Sequence, residues 1–195
     1  PLAPAVQLQC AKNFMRQRLP ADSNPFPSRQ HVPSDKIRLA YVSGDFRQHP
    51  VAYLVTELLE RHDRDRFEVV GISYGLDDGS EERRRLVAAC DQFHDVQARD
   101  ERDAAALIND LQIDIAVDLG GHTENSRPGI FRDRPAPVQV SYLGYTGTTG
   151  ADFIDYVVAD KVALPSDLAP YFTEKVVHLP DCFLVNDSKK AISPV

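Results

Sequence analysis

Residues 37–50 read IRLAYVSGDFRQHP, a short apolar run that passes through Ser43, Gly44 and Asp45 to a proline. The apolar run is typical of a buried strand, and the glycine allows a sharp turn where the strand ends. Residues 51–61, VAYLVTELLER, then show helical spacing of leucines, so the proline stands at the first position of a predicted helix. This stretch therefore predicts a strand, a tight loop and a helix, which is the repeating unit of an α/β fold.

The same alternation continues along the chain. Further strands are predicted at residues 67–74, 113–119, 138–143, 153–159 and 175–179, and further helices at residues 80–90 and 102–111. Strands that alternate with helices of about ten residues predict an α/β fold with a mainly parallel sheet and helices on both faces. Right-handed crossovers place the carboxyl ends of the strands at one edge, where open sheets of this kind bind their ligands.

The loop after the first strand holds the first candidate site. Asp45 can accept hydrogen bonds, and His49 directly precedes the predicted helix. Because the positive end of a helix disfavours an imidazolium, His49 would be neutral at pH 7 and able to accept a proton. The alternative is a histidine whose hydrogen bonds are satisfied by nearby backbone.

Two more loops at the same predicted edge are rich in glycine and polar residues. Asp118 closes a buried strand and is followed by Gly120, Gly121 and His122. The carboxylate could fix the tautomer of the imidazole while His122 exchanges a proton or binds a substrate hydroxyl. Otherwise, Asp118 caps the next turn and His122 is a surface residue. Residues 143–150, LGYTGTTG, offer N–H groups and hydroxyls that suit phosphate or sugar oxygens, although a structural turn gives the same pattern.

Composition argues against several other classes of protein. The net charge of −7 argues against a protein that binds nucleic acid through its overall field. No stretch reaches the ~18 apolar residues of a membrane span, and the N-terminus lacks the pattern of a signal peptide. Three scattered cysteines fit a reduced, cytoplasmic setting, and no spacing of His and Cys indicates a metal site. The chain does not begin with Met, so we expect an excerpt of a longer chain.

Three sequence blocks, in their order and spacing, resemble the O-GlcNAc transferase family, including its bacterial and Spindly-like members. The blocks are RLAYVSGDFRQHPVAYL from Arg38, DIAVDLGGHT from Asp114 and RPAPVQVSYLGYTGTTGADFIDYVVAD from Arg134. The resemblance covers about residues 36–185. It implies a Rossmann-like lobe, the N-terminal catalytic lobe of a GT-B glycosyltransferase, whose two lobes face each other across a cleft.

The resemblance also implies an activity and a set of site residues. The activity is transfer of N-acetylglucosamine from UDP-GlcNAc to Ser or Thr hydroxyls of proteins, with no bound metal. His49 is expected in the cleft, in catalysis or sugar positioning, with Asp118 and His122 as a second site on the same side. The base that takes the acceptor proton could be His49, His122 or a phosphate of the donor. The residues expected to contact substrate are Asp45, Gly121, Thr123, Tyr145, Thr146, Gly147 and Thr148.

One departure from the family is visible at Thr146. The family often has GYPGT where this chain has GYTGT, so a proline is replaced. Proline fixes its own φ angle, and its loss puts the rigidity of this loop in doubt.

The expected organisation of the chain has four parts. Residues 1–19 are predicted to be a helix that ends a tetratricopeptide repeat region, and residues 20–35 a linker rich in proline. Residues 36–185 form the catalytic lobe, and residues 186–195 begin the connection to a C-terminal lobe that holds most of the UDP site in the family. The expected partners are thus a UDP-sugar, a protein or peptide acceptor, and the C-terminal lobe of the same polypeptide.

Two other classes of function stay open from the sequence alone. A stand-alone Rossmann-like module could bind a nucleotide or small metabolite without transferring anything, and it predicts tight binding by this chain by itself. A protein-interaction remnant with a decayed site could also be attached to helical repeats. The presence of His49, His122 and the glycine loops counts against the remnant.

Overall fold

The computed structural model describes residues 3–19, 23–27 and 35–190 of the chain. Within them, seven strands form one sheet in which all neighbouring strands run parallel. The strands are Ile37–Ser43 (β1), Phe67–Ser73 (β2), Gln92–Asp95 (β3), Ile115–Asp118 (β4), Val138–Ser141 (β5), Tyr156–Asp160 (β6) and Lys175–Leu179 (β7). Their order across the sheet is β3-β2-β1-β4-β5-β6-β7. The strand order therefore reverses between β1 and β4, which is where such sheets open a crevice for ligands.

Helices cover both faces of the sheet, as the sequence predicts. They are Pro4–Arg18 (α1), Pro50–Glu60 (α2), Glu81–Ala88 (α3), Glu101–Asp110 (α4) and Gly129–Arg132 (α5), with a short 3-10 turn at Ala169–Tyr171. On one face, α2 and α3 pack Leu59 and Leu86 against the sheet. On the other face, α4 and α5 contribute Ile108 and Phe131 to a separate apolar core.

Helix α1 packs directly against the second of these faces. Met15 belongs to the same apolar core as Ile108, and Ala11 is buried as well. Part of the predicted linker also lies on the lobe: the N–H of Phe26 donates to the carbonyl of Asp133 at 2.8 Å. The guanidinium of Arg102 lies 4.0 Å from the centroid of the Phe26 ring. Residues 20–22 and 28–34 of that linker, and residues 191–195 of the predicted connection, lie outside the described residues.

Four predicted strands are shorter in the structure than in the sequence pattern. Those predicted at residues 67–74 and 138–143 end at Ser73 and Ser141. The strand predicted at residues 153–159 begins at Tyr156, because the carbonyl of Phe153 accepts the side-chain amide of Gln139 at 2.7 Å instead of continuing the ladder. The strand predicted at residues 113–119 spans Ile115–Asp118. None of the described helices is long and apolar enough to cross a lipid bilayer.

Candidate functional site

Three polar loops meet at the carboxyl edge of the sheet. Because β1, β4 and β5 are parallel neighbours, the loops that follow them lie side by side. The loops comprise residues 44–49, 119–127 and 142–150. Together with Asp118 at the end of β4, they carry every site residue proposed from the sequence.

His49 is the N-cap residue of α2. Its Nδ1 accepts a hydrogen bond from the N–H of Val51 at 3.2 Å, so the neutral ring carries its proton on Nε2. A carboxylate oxygen of Asp45 lies 3.6 Å from the same Nδ1, which is too far for a hydrogen bond. His49 therefore offers an N–H donor at Nε2. The other nitrogen is satisfied by backbone, as the alternative from the sequence has it, and the role of His49 as a proton acceptor stays a prediction.

Tyr74, which directly follows β2, joins the loops after β1 and β4. A Cβ at Gly44 would lie 2.6 Å from the edge of its ring, and a Cβ at Gly120 would lie 2.7 Å from its hydroxyl. Burial, followed by the nearby carboxylates of Asp118 and Asp45, raises the pKa of Tyr74, so the phenol is neutral. Glycine is required at both positions because one aromatic ring lies against both loops.

Asp118 is buried and shapes the turn after β4. Its two carboxylate oxygens accept the backbone N–H groups of Gly120 at 2.8 Å and Gly121 at 3.1 Å. Burial raises the pKa of Asp118 to about 6 in spite of these bonds. The pairing of Asp118 with His122 considered from the sequence is wrong, because the carboxylate bonds to backbone and the histidine bonds elsewhere. Asp118 instead acts as the alternative predicted, a cap for the next turn.

The imidazole of His122 is held between two aromatic rings. The centroids of Phe14 and Tyr145 each lie 5.1 Å from it, and both rings meet it edge to face. Its Nε2–H donates to the carbonyl of Thr149 at 2.8 Å, while Nδ1 is buried without a partner in the described part of the chain. Burial is the main cause that lowers the pKa of His122, so the ring is neutral at pH 7. Neither nitrogen offers a lone pair to solvent.

The loop after β5 begins with a strained turn. Leu143 has a φ of +71°, and the N–H of Gly144 donates to the carbonyl of Tyr142 at 2.9 Å, as in a γ-turn. A positive φ is unusual for a bulky residue, and such strain clusters at functional sites. A Cβ at Gly144 would overlap the carbonyl oxygen of Leu119, so glycine is required there. The turn thus brings this loop into contact with the loop after β4.

Thr148 and Thr149 anchor the far end of the same loop to Glu174. The hydroxyl of Thr148 donates to Glu174 at 2.8 Å and accepts the N–H groups of Gly150 and Thr173 at 3.1 and 3.2 Å. Both the N–H and the hydroxyl of Thr149 donate to the other oxygen of Glu174. These bonds use the one donor and both acceptor lone pairs of the Thr148 hydroxyl. In this conformation the hydroxyl therefore supports the loop, and the contact of Thr148 with substrate stays a prediction.

The tip of this loop is exposed but held in place. Tyr145 is 37% exposed, and its side chain lies against two glycines: a Cβ at Gly147 would lie 2.7 Å from the ring, and a Cβ at Gly121 would lie 2.6 Å from the Cβ of Tyr145. Thr146, which stands where the family often has proline, lies between this packing and the anchored Thr148. Packing on one side and hydrogen bonds on the other thus take the place of a proline in fixing the tip.

Thr123 and Asp45 retain oxygen lone pairs that a ligand could use. The hydroxyl of Thr123 donates to the carbonyl of Gly120 at 2.9 Å, which leaves its acceptor capacity available. Asp45 is half-buried and accepts a long hydrogen bond of 3.4 Å from Arg47. Both residues lie on loops of the carboxyl edge, in positions compatible with the predicted substrate contacts.

Three residues that shape the site were not singled out from the sequence: Tyr74, Phe14 and Glu174. Glu174 lies 25 residues from Thr149, and Phe14 lies on α1, so no local pattern marks either one. Tyr74 could have been found from the sequence, because it ends a predicted strand at the edge of the sheet where ligands bind.

The candidate site coincides neither with a cavity of about 640 Å³ nor with a cluster of metal ligands among the described residues. This cavity lies between α1 and residues 150–153, and its lining includes neither His49 nor His122. A smaller cavity of about 180 Å³ adjoins residues 145–148. Among the described residues, no group of three or more His, Cys, Asp or Glu side chains is arranged to hold a metal ion. The site is therefore defined by the chemistry of its loops.

Comparison with known sequences relates the chain to one family. Residues 14–194 match the model of glycosyl transferase family 41. The chain is 36% identical over 200 residues to the probable UDP-N-acetylglucosamine--peptide N-acetylglucosaminyltransferase SEC of Arabidopsis thaliana, which covers 97% of this chain and 20% of that protein. It is 39% identical over 153 residues to the UDP-N-acetylglucosamine--peptide N-acetylglucosaminyltransferase of Caenorhabditis elegans, which covers 78% of this chain and 13% of that protein.

Comparison with solved structures gives the same relationship. A mutant of the O-GlcNAc transferase from Thermobaculum terrenum matches with a TM-score of 0.86 and 33% identity, covering 93% of this chain and 35% of that chain. The chain thus spans about a fifth of the Arabidopsis relative and about a third of the solved structure.

Proposed function

Because the chain belongs to glycosyl transferase family 41, we propose that it forms the N-terminal catalytic lobe of an enzyme that transfers N-acetylglucosamine from UDP-GlcNAc to Ser or Thr hydroxyls of proteins. The observation that carries this proposal is the meeting of three polar loops at the carboxyl edge of a lobe with the O-GlcNAc transferase fold. The sequence relatives named above bear the name of a UDP-N-acetylglucosamine--peptide N-acetylglucosaminyltransferase, and their matches cover 97% and 78% of this chain.

The state of the two histidines supports a division of roles in the transfer. The acceptor oxygen bonds to the anomeric carbon of the sugar while the bond to UDP breaks, so negative charge grows on the leaving diphosphate and the acceptor must lose its proton. His49 has a donor at Nε2, and we assign this N–H to an oxygen of the donor substrate. The lone pair on Nδ1 of His49 accepts the N–H of Val51, and the lone pair on Nδ1 of His122 is buried away from solvent. Of the three bases considered, a phosphate oxygen of the donor is then the one that takes the acceptor proton.

The remaining side chains of the edge are assigned to binding and support. Asp118 and Thr148 hold the backbone of their loops through the hydrogen bonds described above. His122 supports the tip of the third loop through its contact with Tyr145. The proposed substrate contacts are Asp45, Gly121, Thr123, Tyr145, Thr146 and Gly147.

The proposal extends to the parts of the polypeptide on either side of this lobe. A C-terminal lobe of the same polypeptide would supply most of the UDP site, and α1 would be the last helix of a tetratricopeptide repeat region. The packing of α1 on the lobe through Met15 supports a fixed junction between the two. We further propose a cytoplasmic protein that needs no bound metal, in line with the scattered cysteines.

A transfer assay on the full-length protein tests the proposal. The protein is incubated with UDP-GlcNAc, a panel of other nucleotide sugars, and a library of peptides containing Ser or Thr, with and without EDTA. We expect UDP release coupled to addition of one N-acetylhexosamine to peptide, at the same rate in EDTA. Transfer of a different sugar would change the proposed donor substrate but not the proposed class of reaction. Tight nucleotide binding without any transfer would instead favour the stand-alone binding module.

A further inference from the structure

A buried arginine lies at the start of α3, among three consecutive arginines. Arg83 is only 4% exposed, whereas its neighbour Arg84 is exposed. Arginine is rarely buried unless its charge and its N–H groups are paired. The partners of Arg83 therefore indicate what this residue is for.

The guanidinium of Arg83 joins the carboxyl ends of three strands. Nη1 donates to the carbonyl of Phe46 at 3.1 Å and to the hydroxyl of Ser73 at 2.6 Å. Nη2 donates to Asp95 at 2.9 Å, and the guanidinium carbon lies 4.5 Å from the centroid of the Phe93 ring. Phe46 belongs to the loop after β1, Ser73 ends β2 and Asp95 ends β3. One side chain thus ties the loop that carries His49 to the sheet.

The same loop is held at a second point by the segment before α3. The N–H of Gln48, next to His49, donates to the carboxylate of Asp78 at 2.8 Å. Phe46 itself is 1% exposed, and its ring lies 5.9 Å from that of Phe93, against which Arg83 also packs. The backbone on both sides of residue 47 is therefore fixed from α3 and the segment before it.

We propose that Arg83 is a positioning residue for His49. It holds the carbonyl of Phe46, and thereby sets where Asp45 and His49 stand relative to the donor substrate. This inference rests on the proposed function, because the position of His49 matters for transfer only if His49 contacts the substrate. Lysine cannot replace the guanidinium, since one ammonium lacks the planar fork that reaches three acceptors at once.

The first experiment compares Arg83→Met with Arg84→Met in the full-length protein. Methionine keeps most of the apolar stem and removes the donors, while Arg84 provides an exposed control in the same helix. We expect kcat/KM for UDP-GlcNAc to fall about 100-fold in Arg83→Met, the scale of a displacement of about 1 Å in a reacting group, and to be unchanged in Arg84→Met. We also expect faster hydrogen exchange at the amides of residues 46–49 in Arg83→Met alone. Unchanged exchange at these amides would overturn the proposal.

A double-mutant cycle with His49→Ala separates positioning from a general loss of structure. If Arg83 acts through His49, Arg83→Met changes kcat/KM by no more than about twofold when His49 is already alanine. If the two losses multiply, Arg83 does not act through His49 and the proposal fails, while the proposed function stands. If His49→Ala alone has wild-type kcat/KM, the assignment of His49 in the proposed function fails, and the role of Arg83 in transfer fails with it.

A conservative variant covers the case in which Arg83→Met does not fold. Arg83→Lys keeps the charge, so the same cycle is run with it, and the unfolding midpoint is measured in parallel. We expect Arg83→Lys to lower kcat/KM when His49 is present and to leave kcat/KM unchanged when residue 49 is alanine. Full activity in a folded Arg83→Lys protein would overturn the proposal.

Discussion

A single hydrogen bond to its own helix decides what His49 can do. An N-cap residue accepts an N–H of the first turn, and His49 does this with Nδ1. The remaining proton must then stay on Nε2, so the ring is a donor in its neutral form. To act as a base at Nε2, the ring would have to release Val51 and give a proton on Nδ1 to Asp45, whose nearer oxygen is 3.6 Å away. The cap therefore favours recognition of an oxygen over removal of a proton.

Substitution of His49 distinguishes these two roles. His49→Ala in the full-length protein is expected to lower turnover at least ~100-fold, the usual scale for loss of one hydrogen-bond donor aimed at charge that develops in the transition state. His49→Gln keeps an N–H donor in the region of Nε2 but cannot act as a base. Partial recovery of turnover in His49→Gln, relative to His49→Ala, is the expected result in steady-state assays with UDP-GlcNAc. Equal losses in the two variants would instead support a base.

Asp118 gives the free energy of unfolding a specific pH dependence. Its pKa is raised from 3.8 to about 6 by burial, so between these values the folded chain keeps a proton that the unfolded chain releases. The contribution of Asp118 to stability therefore falls as pH rises from about 4 to about 6, by at most about 3 kcal/mol at 1.36 kcal/mol per pKa unit.

Asp118→Asn removes this titration. The amide also loses one of the two hydrogen bonds to Gly120 and Gly121, at a cost of about 1–3 kcal/mol at every pH. Urea unfolding of both proteins from about pH 4 to about pH 7 measures the difference. The stability advantage of the wild type is expected to shrink across this range. A difference that stays constant with pH would show that Asp118 does not titrate as described.

The sequence identified which residues stand at the site but not how they are paired. His49 and Asp118 were found because each one lies at a strand end or a helix start, and these positions follow from local patterns. The partner of His122 is a carbonyl 27 residues away, so its tautomer could not be derived locally. The same holds for Thr148, whose hydroxyl donates to Glu174 in the loop between β6 and β7.

At the scale of elements, the strongest unpredicted feature is the contact between α1 and the site loops. Phe14 packs on His122, and Arg18 donates to the carbonyl of Ser126 in the loop after β4. The backbone of α1 also passes against Gly150, at the end of the loop after β5. A helix predicted as part of a preceding region thus supports two of the three site loops. Whether it ends a repeat region stays a prediction.

Gly150 allows this contact to be tested against a matched control. Gly150 and Gly79 both have positive φ, at +70° and +63°, but they differ in their surroundings. A Cβ at Gly150 would lie 2.5 Å from the backbone of α1, whereas a Cβ at Gly79 meets nothing within 4 Å. Gly79→Ala should therefore cost the backbone strain alone, about 1–2 kcal/mol. Gly150→Ala should cost about 1–3 kcal/mol more, because α1 must move.

Chemical unfolding of the two glycine variants measures this difference. Hydrogen exchange adds a local readout, because displacement of α1 should raise the exchange of amides in residues 119–127 in Gly150→Ala and not in Gly79→Ala. Equal stability of the two variants would mean that α1 is not packed on the lobe in solution.

Long elements with continuous burial were predicted well, and very short elements were missed. The strand β1 is buried over its last five residues, and its apolar run is unmistakable in the sequence. Helix α5 has four residues and the 3-10 turn three, which is too short for any periodicity to show. The 3-10 turn at Ala169–Tyr171 has no buried residue, so it leaves no apolar signature either.

At the scale of the whole molecule, the site loops lie along one open edge of the lobe. Sites for small molecules usually bury about 70–90% of the ligand surface, which requires walls on more than one side. The cavity of about 180 Å³ beside residues 145–148 is too small for a nucleotide sugar. The geometry of this edge therefore fits one wall of a cleft whose other wall, in the proposed function, is the C-terminal lobe.

Calorimetric titration of UDP and UDP-GlcNAc into this chain of 195 residues tests the division of labour between the lobes. Because one wall leaves much of the ligand in water, we expect binding at least about 100-fold weaker than by the full-length protein, a loss of about 2.7 kcal/mol or more. Circular dichroism first establishes that the isolated chain is folded. Micromolar binding, about −8 kcal/mol, would show that this lobe carries a nucleotide site of its own. A stand-alone binding module would then account for the three polar loops better than one wall of a cleft between two lobes does.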